Sequence, residues 1–392
     1  MKTSTASWDI GRRWPDDIGA LDSESTLVLA FGGSECLDRP EGLEALRAAF
    51  PRGHVLGCST SGQIRGDSVR DGGVDAMVMR FDRATLRVAS ARVNGEGGSF
   101  RAGCEVGDQL CRGNLRGVFV LSDGTQSNGT QLCSGMASKL PAGVPVTGGL
   151  AGDGERFLRT WVCCDGAPAQ GMAVAVGLYG DDSVSLWHGC KGGWDTFGPE
   201  RVVTRSKDNV LFELDNEPAL SVYERYLGEH AAGLPASALL FPLALRRNGS
   251  QAVVVRTVLG TSREAGSMTF AGDIPQGATV QLMRADFDRI IDGASEAASM
   301  ISLGDIPGTS AACVPISCVG RRIILKHRTE EELEEVVNHL APGMPHVGFY
   351  SYGEISPMVG SSCELHNQTV TLTVFAERTG GRDAPDARKA AA

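Results

Sequence analysis

The 51 glycines of this 392-residue chain constrain its fold more than any other feature, because they collect at the ends of apolar runs. Glycine there marks tight turns and positive-φ positions between strands. The run TLVLAF (26–31) stops at Gly32-Gly33, and HVLGC (54–58) enters the loop STSGQ. GVFVL (117–121) enters SDGTQSN, and Pro145-Val146-Thr147 enters GGLAGDG. Between the first two runs, PEGLEALRAAF (40–50) places Leu43, Leu46 and Ala49-Phe50 on one helical face, with proline near its start. The unit is β-α-β, and it recurs with a helix-like stretch over 129–139. Alternating stretches at 76–81 and 172–178 predict antiparallel strands.

The second half keeps the same style. NVLFELDNEPA reads as a strand and turn, and LSVYERYLGEHAAG reads as a helix, so a boundary falls near Glu217-Pro218. Strands are expected at 251–258 and 279–283, then a helix over 287–300. Residues 313–318 and 323–325 suggest strands. TEEELEEVVNHL (329–340) predicts a helix with Thr329 as N-cap and Glu332 closing a capping box. Strands at 347–350 and 369–375 finish the pattern. The fold class is α/β (mixed α+β), with two sheet-rich domains carrying glycine-rich loops at strand ends. The divisions are an N-terminal extension over 1–24, a first domain over 25–218, a second over 219–378 and a disordered tail over 379–392.

Composition excludes several functions. Hydrophobic residues make up 42% and charged residues 21%, as in a globular protein. Lys+Arg is 37 against Asp+Glu 47, a formal net charge of -10, which argues against nucleic acid and against an anionic membrane surface. No apolar run approaches the ~20 residues of a bilayer span, and MKTSTASWDIGRRWPDD lacks a signal-peptide core. The 11 cysteines include no CxxC, so reduced thiols and a cytoplasmic location are expected. A basic partner surface and self-association remain open.

The search for catalysis finds no HExxH, no GxxxxGK[ST] and no strict GxGxxG. GCSTSG falls short of a serine elbow because position 61 is serine rather than glycine. Cys58 in that loop is a candidate nucleophile for a cysteine-dependent enzyme, although no substrate suggests itself. The vicinal pair Cys163-Cys164 and the pair Cys313/Cys318 suit disulfides poorly. Among the histidines, 54, 230, 327, 339 and 346 read as surface or structural residues. His188 differs, because LWHGCKGGWDTFGPER surrounds it with glycines, Cys190, Trp187 and Trp194. Glycine permits the close approach of a flat macrocycle, while the plainer reading is a loop whose tryptophans cap a core. His366 in SCELHNQTVTL faces a cleft or satisfies a turn. Glu354 in FYSYGEISP is a ligand contact or a buried turn anchor. CxxCH is absent, so any haem is noncovalent.

Assembled, GCSTSGQI (57–64), LSDGTQSNG (121–129) and TGGLAGDG (147–154) resemble the N-terminal half of the FIST sensory-domain family. SCVGRR (317–322), GFYSYGEISP (348–357) and LHNQT (365–369) resemble its C-terminal half. The resemblance implies a ligand sensor in signal transduction and not an enzyme. HGCKGGWDTFGPERVVTRS, LPASALLFPLAL and MTFAGDIPQG are similar to a bacterial subgroup that binds haem b and senses nitric oxide. That subgroup regulates a partner histidine kinase or a cyclic-di-GMP enzyme, and no fused kinase is seen here. In this reading the haem iron is held by His188, with His366 second, and Trp187, Gly189 and Trp194 line the group. Gln63 stands where the family often has glutamate. The rival is a haem-free sensor of a small metabolite such as an amino acid, whose carboxylate suits backbone N–H groups of the glycine loops. Its candidate pocket residues are Cys58, Ser59, Asp123, Gly149, Asp153, Tyr352, Glu354 and Asn367.

Overall fold

A computed structural model describes residues 1–93, 95, 97–301, 308–358 and 360–378; the expected disordered tail lies outside them. In chain order the first stretch contains β1 (Lys2–Trp8), β2 (Thr26–Gly32), α1 (Glu41–Ala49), β3 (His54–Ser59), β4 (Gln63–Arg65), β5 (Ser68–Arg70) and β6 (Val74–Arg80). The next holds β7 (Thr85–Arg92), α2 (Gly98–Leu110), β8 (Leu115–Ser122), α3 (Gly129–Ala137), β9 (Val146–Leu150), β10 (Val162–Cys164), β11 (Met172–Tyr179) and β12 (Val184–Lys191). A β-rich body follows with β13 (Asp195–Lys207), β14 (Val210–Leu214), β15 (Glu217–Pro218), α4 (Ala219–Leu227), β16 (Leu243–Arg246), β17 (Val253–Arg256), β18 (Val258–Ser262), β19 (Ser267–Phe270) and β20 (Thr279–Arg284). The chain then forms α5 (Phe287–Ser299), β21 (Thr309–Cys318), α6 (Val319–Leu325), α7 (Thr329–His339), β22 (Val347–Ser351), β23 (Gly353–Met358), β24 (Ser361–His366) and β25 (Val370–Arg378). The class is mixed α+β, as the sequence predicts.

Three of the sheets share one plan. Their orders are β1-β6-β2-β3-β10, β7-β11-β8-β9-β23-β24 and β12-β25-β21-β22-β4-β5. Each contains one parallel pair joined through a helical crossover: β2 with β3, β8 with β9, and β21 with β22. Leaving the second strand of each pair, the chain crosses into a neighbouring sheet. β4 pairs with β22, β10 with β3, and β23 with β9. The exchange is cyclic and laces three units into a ring. Residues 2–8, read from sequence as an extension, form an edge strand of the first sheet.

The alternation of side chains explains why the ring has one inner core. From β2, Leu27, Leu29 and Phe31 join Met77, Phe119, Val174, Val314, Ile316, Phe349 and Phe375 between the sheets. Phe31 stacks on Phe349 with centroids 4.8 Å apart. The alternate residues Val28 and Ala30 face outward under α1, with Leu43 and Leu46. α2 and α3 cover the second sheet with Ala102, Val106, Leu132 and Met136, and α5 and α7 cover the third. The second strand of each parallel pair runs so close to its neighbour that glycine is required. A Cβ on Gly57 would lie 2.3 Å from Ala30 O, on Gly148 1.8 Å from Val120 O, and on Gly348 1.8 Å from Pro315 O.

Residues 195–284 form an eight-stranded sheet with α4 packed against it, around Val203, Tyr223, Leu245 and Phe270. This body docks on the ring through Asp273, which accepts from Asn128 Nδ2 (2.7 Å) and Gln131 Nε2 (2.6 Å). Arg247 adds a bidentate pair to Glu364 at 2.6 and 2.9 Å.

Two local expectations change. Residues 323–325 lie in α6 rather than a strand; so short an apolar run carries no period that separates the two. The capping box does not form. Thr329 is the first residue of α7, and its hydroxyl donates to Lys326 O at 2.6 Å. Glu332 turns inward, where Arg321 Nε donates to it at 2.6 Å, both side chains being fully buried. A buried guanidinium without a carboxylate costs far more than an open helix cap.

Candidate functional site

The carboxyl ends of the parallel strands, where open α/β sheets place ligand crevices, frame two adjoining cavities. The first, about 490 Å3, is polar: Glu35, Thr60, Ser61, Gln63, Asp71, Glu155, Arg156, Arg322 and Lys326 line it with glycines. The second, about 340 Å3, is mostly apolar, with Phe157, Pro235, Leu239, Val258, Leu259 and Tyr352 on its wall. Glu155, Val319 and Ile323 belong to both. The polar half is built from the loops after β3 and β9, and α6 forms the partition. The body of residues 195–284 supplies the far apolar wall.

The polar half carries charge of both signs. Arg322 is bidentate to Asp71 at 2.7 and 2.8 Å and donates to Ser61 O at 2.6 Å. Glu155 and Lys326 line the same cavity. Three buried acceptors also lack partners among the described residues. Gln63 spends its amide N–H groups on Gly72 O and Gly73 O, which leaves Oε1 unpaired. Asn367 donates to His366 O at 3.0 Å and leaves Oδ1 unpaired. Thr257 Oγ1 is unpaired as well. Gln63 lines the polar cavity, and Asn367 and Thr257 the apolar one. Buried polar atoms are ordinarily satisfied, so three orphans on one paired cavity mark where a ligand's donors belong.

Of the residues anticipated from sequence, Tyr352 and Asn367 line the cavity. Asp153 supports it from behind by accepting from the N–H groups of Phe157 (2.9 Å), Leu158 (3.1 Å) and Arg159 (3.0 Å) and from the Tyr352 hydroxyl. That loop lays Phe157 on Tyr352, centroids 4.3 Å apart. Asp123 is a turn anchor, its Oδ1 taking the N–H groups of Thr125 and Gln126 and its Oδ2 that of Gly171. Ser59 accepts from Trp161 N at 2.9 Å, and Gly149 lies in the strand ladder opposite Glu354. Cys58 is fully buried in the ring core, and burial pushes its thiol far above the ordinary range. A thiol held protonated there is no nucleophile. Sequence reasoning missed Thr257, Glu155, Arg156, Val319, Ile323 and Lys326. The available signals were the motifs themselves: Val319 and Arg322 lie inside SCVGRR, and Gln63 inside GCSTSGQI.

Glu354 is fully buried and accepts from Ser351 Oγ (2.6 Å), Thr369 N (3.2 Å) and Thr369 Oγ1 (2.8 Å). Burial outweighs these bonds and raises its carboxyl from 4.5 to about 7. The native state therefore holds more protons than the unfolded chain between these values, and stability falls as pH rises through that window. Between pH 5 and 8 the loss assigned to Glu354 is of order 2–3 kcal/mol. Denaturant midpoints of Glu354→Gln should lack this component; parallel pH slopes for both proteins would refute the assignment.

Neither His188 nor His366 is among the residues that line the two cavities. His188 sits on β12 opposite Thr373, and Cys190 opposite Thr371. His366, at the end of β24, donates from Nε2 to Ser356 O at 3.2 Å. Burial and the neighbouring His366 lower the His188 imidazole below its usual range, and its Nδ1 has no partner. Trp187 faces the other way, into the cluster under α5. A Cβ on Gly189 would lie 2.0 Å from Ala297 O. Trp194 Nε1 donates to Gln368 O at 2.8 Å. The unpaired His188 nitrogen has the chemistry of a ligand, but the residues around it do not fit a haem. Trp187 lies on the wrong face, α5 closes the strand at Gly189, and neither histidine borders the apolar cavity. Among the described residues no group of three or more His, Cys, Asp or Glu is placed to hold a metal ion. No helix among them is long and apolar enough to cross a membrane.

Residues 26–217 match the FIST N domain and 219–357 the FIST C domain. An uncharacterized protein of Mycobacterium tuberculosis is 26% identical over 246 residues, 60% of this chain and 62% of that protein. An uncharacterized protein of Mycobacterium bovis is 25% identical over 249 residues, 60% and 61% of the two chains. The match thus spans about three fifths of these relatives. A cyanuric acid hydrolase from A. caulinodans superposes with a TM-score of 0.38 at 8% identity, over 96% of this chain and 99% of that one.

Proposed function

The chain belongs to the FIST family, whose domains are signal-transduction sensor domains, and from that premise we propose that it senses a small metabolite of the amino-acid class in the paired cavity. The observation that carries this reading is the set of acceptors without partners among the described residues, Gln63 Oε1 and Asn367 Oδ1, with Glu155 and Lys326 on the same cavity wall. An α-ammonium supplies donors for such acceptors, and a carboxylate suits Arg322, Arg156 or Lys326 and the glycine-loop N–H groups. The apolar half takes the side chain. Binding would be read out through the exposed loop that carries Phe157 and Leu158, in a cytoplasmic protein, by a partner histidine kinase or cyclic-di-GMP enzyme.

A thermal-shift screen of the amino acids tests the proposal. At a hundredfold excess over Kd a cognate ligand stabilises by about 2.7 kcal/mol, a shift of several degrees. Ile323→Trp, filling the junction of the two halves, should abolish the shift and leave the unliganded transition in place. No shift with any amino acid would overturn the reading. The second reading, haem b sensing nitric oxide, has the unpaired Nδ1 of His188 in its favour and the crowding at Trp187 and Gly189 against it. A hemin titration separates the two. Metabolite sensing expects a spectrum like free hemin, whereas a Soret band that responds to nitric oxide and is lost in His188→Ala would put haem in its place.

A further inference from the structure

The apolar half of the paired cavity carries two polar exceptions. Its wall sets Leu239, Leu259 and Ile323 around a space of about 340 Å3, and Ala236, Ala271 and Gly320 leave room that larger side chains would take. Asn367 and Thr257 belong to the same wall, and both are buried. Neither Asn367 Oδ1 nor Thr257 Oγ1 has a partner among the described residues. The Asn367 amide is fixed in orientation because Nδ2 donates to His366 O at 3.0 Å. The atom left over is therefore its carbonyl oxygen, which only accepts, whereas the Thr257 hydroxyl can donate or accept. An aliphatic side chain in this space would seal both atoms from water with nothing to bond, a larger penalty than a made bond returns.

The same half also offers an aromatic ring. Phe157 stacks on Tyr352 with the two planes 14° from parallel, yet it remains 47% exposed. Its φ is +52°, in the left-handed region that bulky side chains rarely adopt. Its N–H is held there by Asp153 Oδ1 (2.9 Å) and Tyr352 OH (3.1 Å). Backbone strain of this kind persists where the surroundings over-determine it, and it clusters at ligand clamps.

We propose that the ligand is an aromatic amino acid whose ring carries a hydrogen-bond donor, the phenol of tyrosine or the indole of tryptophan. The inference rests on the amino-acid reading above and specifies its side chain. The ring fills the apolar half beside Phe157, where an aromatic pair gains more than its buried area alone. Its O–H or N–H donates to Asn367 Oδ1, and a phenol oxygen is in addition an acceptor for the Thr257 hydroxyl. Phenylalanine offers a similar ring but leaves both atoms unpaired, so the site rejects it by what would stay unsatisfied rather than by shape.

Calorimetric titration of the full-length protein with tyrosine, tryptophan, phenylalanine, leucine and methionine tests the proposal. Tyrosine or tryptophan should bind about tenfold to a hundredfold more tightly than phenylalanine, leucine or methionine. Whichever of the two leads identifies the donor as phenol or indole. Asn367→Leu removes the acceptor at nearly constant volume and should bring phenylalanine to within about threefold of the leader. Thr257→Val should do the same where tyrosine leads. The wild-type series decides even if a variant fails to fold. Phenylalanine binding as tightly as both tyrosine and tryptophan, or a preference that survives Asn367→Leu, would overturn the proposal. Leucine or methionine binding most tightly would overturn it and leave the amino-acid reading standing. No binding by any amino acid would remove that reading, and this one with it.

Discussion

Arg321→Met is expected to lower stability by about 3–5 kcal/mol, read as a large drop in the denaturant midpoint. Arg321 is fully buried beneath α6. Its Nε donates to Glu332 (2.6 Å), and its Nη atoms reach Gly192 O, Gln368 O (3.3 Å) and Ile290 O (2.6 Å). Glu332 in turn accepts from Ser317 Oγ (2.8 Å) and Tyr350 OH (2.9 Å). Removing the guanidinium strands a carboxylate in the interior and takes a donor from Gly192 O and Ile290 O, while Gln368 O keeps Trp194 Nε1. Adding Glu332→Leu should return part of the loss, since a buried pair replaced whole by apolar groups costs less than one broken in half. A single-variant loss below about 1 kcal/mol would mean that water reaches this position. Because α6 also partitions the two cavities, ligand binding should weaken with it.

Gly148→Ala should be as damaging for a different reason. Gly148 has φ +143°, and its Cβ would meet Val120 O at 1.8 Å, so neither backbone nor space admits a side chain. The neighbouring strand cannot retreat, because β8 is held on its other edge by β11. A loss upwards of about 3 kcal/mol follows. Gly154→Ala is the matched control: its φ is +75° and nothing lies within 4 Å, so only backbone strain remains, about 1 kcal/mol. Equal midpoints for the two variants would refute the close-approach argument.

These glycines also show what could be read in advance. HVLGC and PVTGG announced strand ends because a buried parallel strand is a continuous apolar run, and the β-α-β units followed. The cyclic order was not legible: Gln63–Arg65 is three residues long, and nothing in its composition says that it joins β22 rather than the adjacent β3. The site was legible in outline. The glycine loops do frame it, but Asp123 and Asp153, the residues there with the most evident chemistry, spend their oxygens on loop N–H groups. The cavity wall includes Leu239, Thr257 and Leu259, which lie in another body of the protein and meet the loops only after folding. His188 attracted attention for its glycines, yet Gly189 exists to let α5 approach.

The lacing of the three sheets has a consequence for how the molecule gains and loses structure. The two family domains meet at residues 217 and 219, yet β4 completes a sheet whose centre is β21 and β22, and β23 and β24 complete one whose centre is β8 and β9. Cut at that boundary, each half is left with a sheet whose edge strand departed with the other half. The halves are therefore expected to behave as complementary fragments, and the ring to melt as one cooperative unit. A disturbance at any one crossover is shared around the ring, as strain is in a closed hoop.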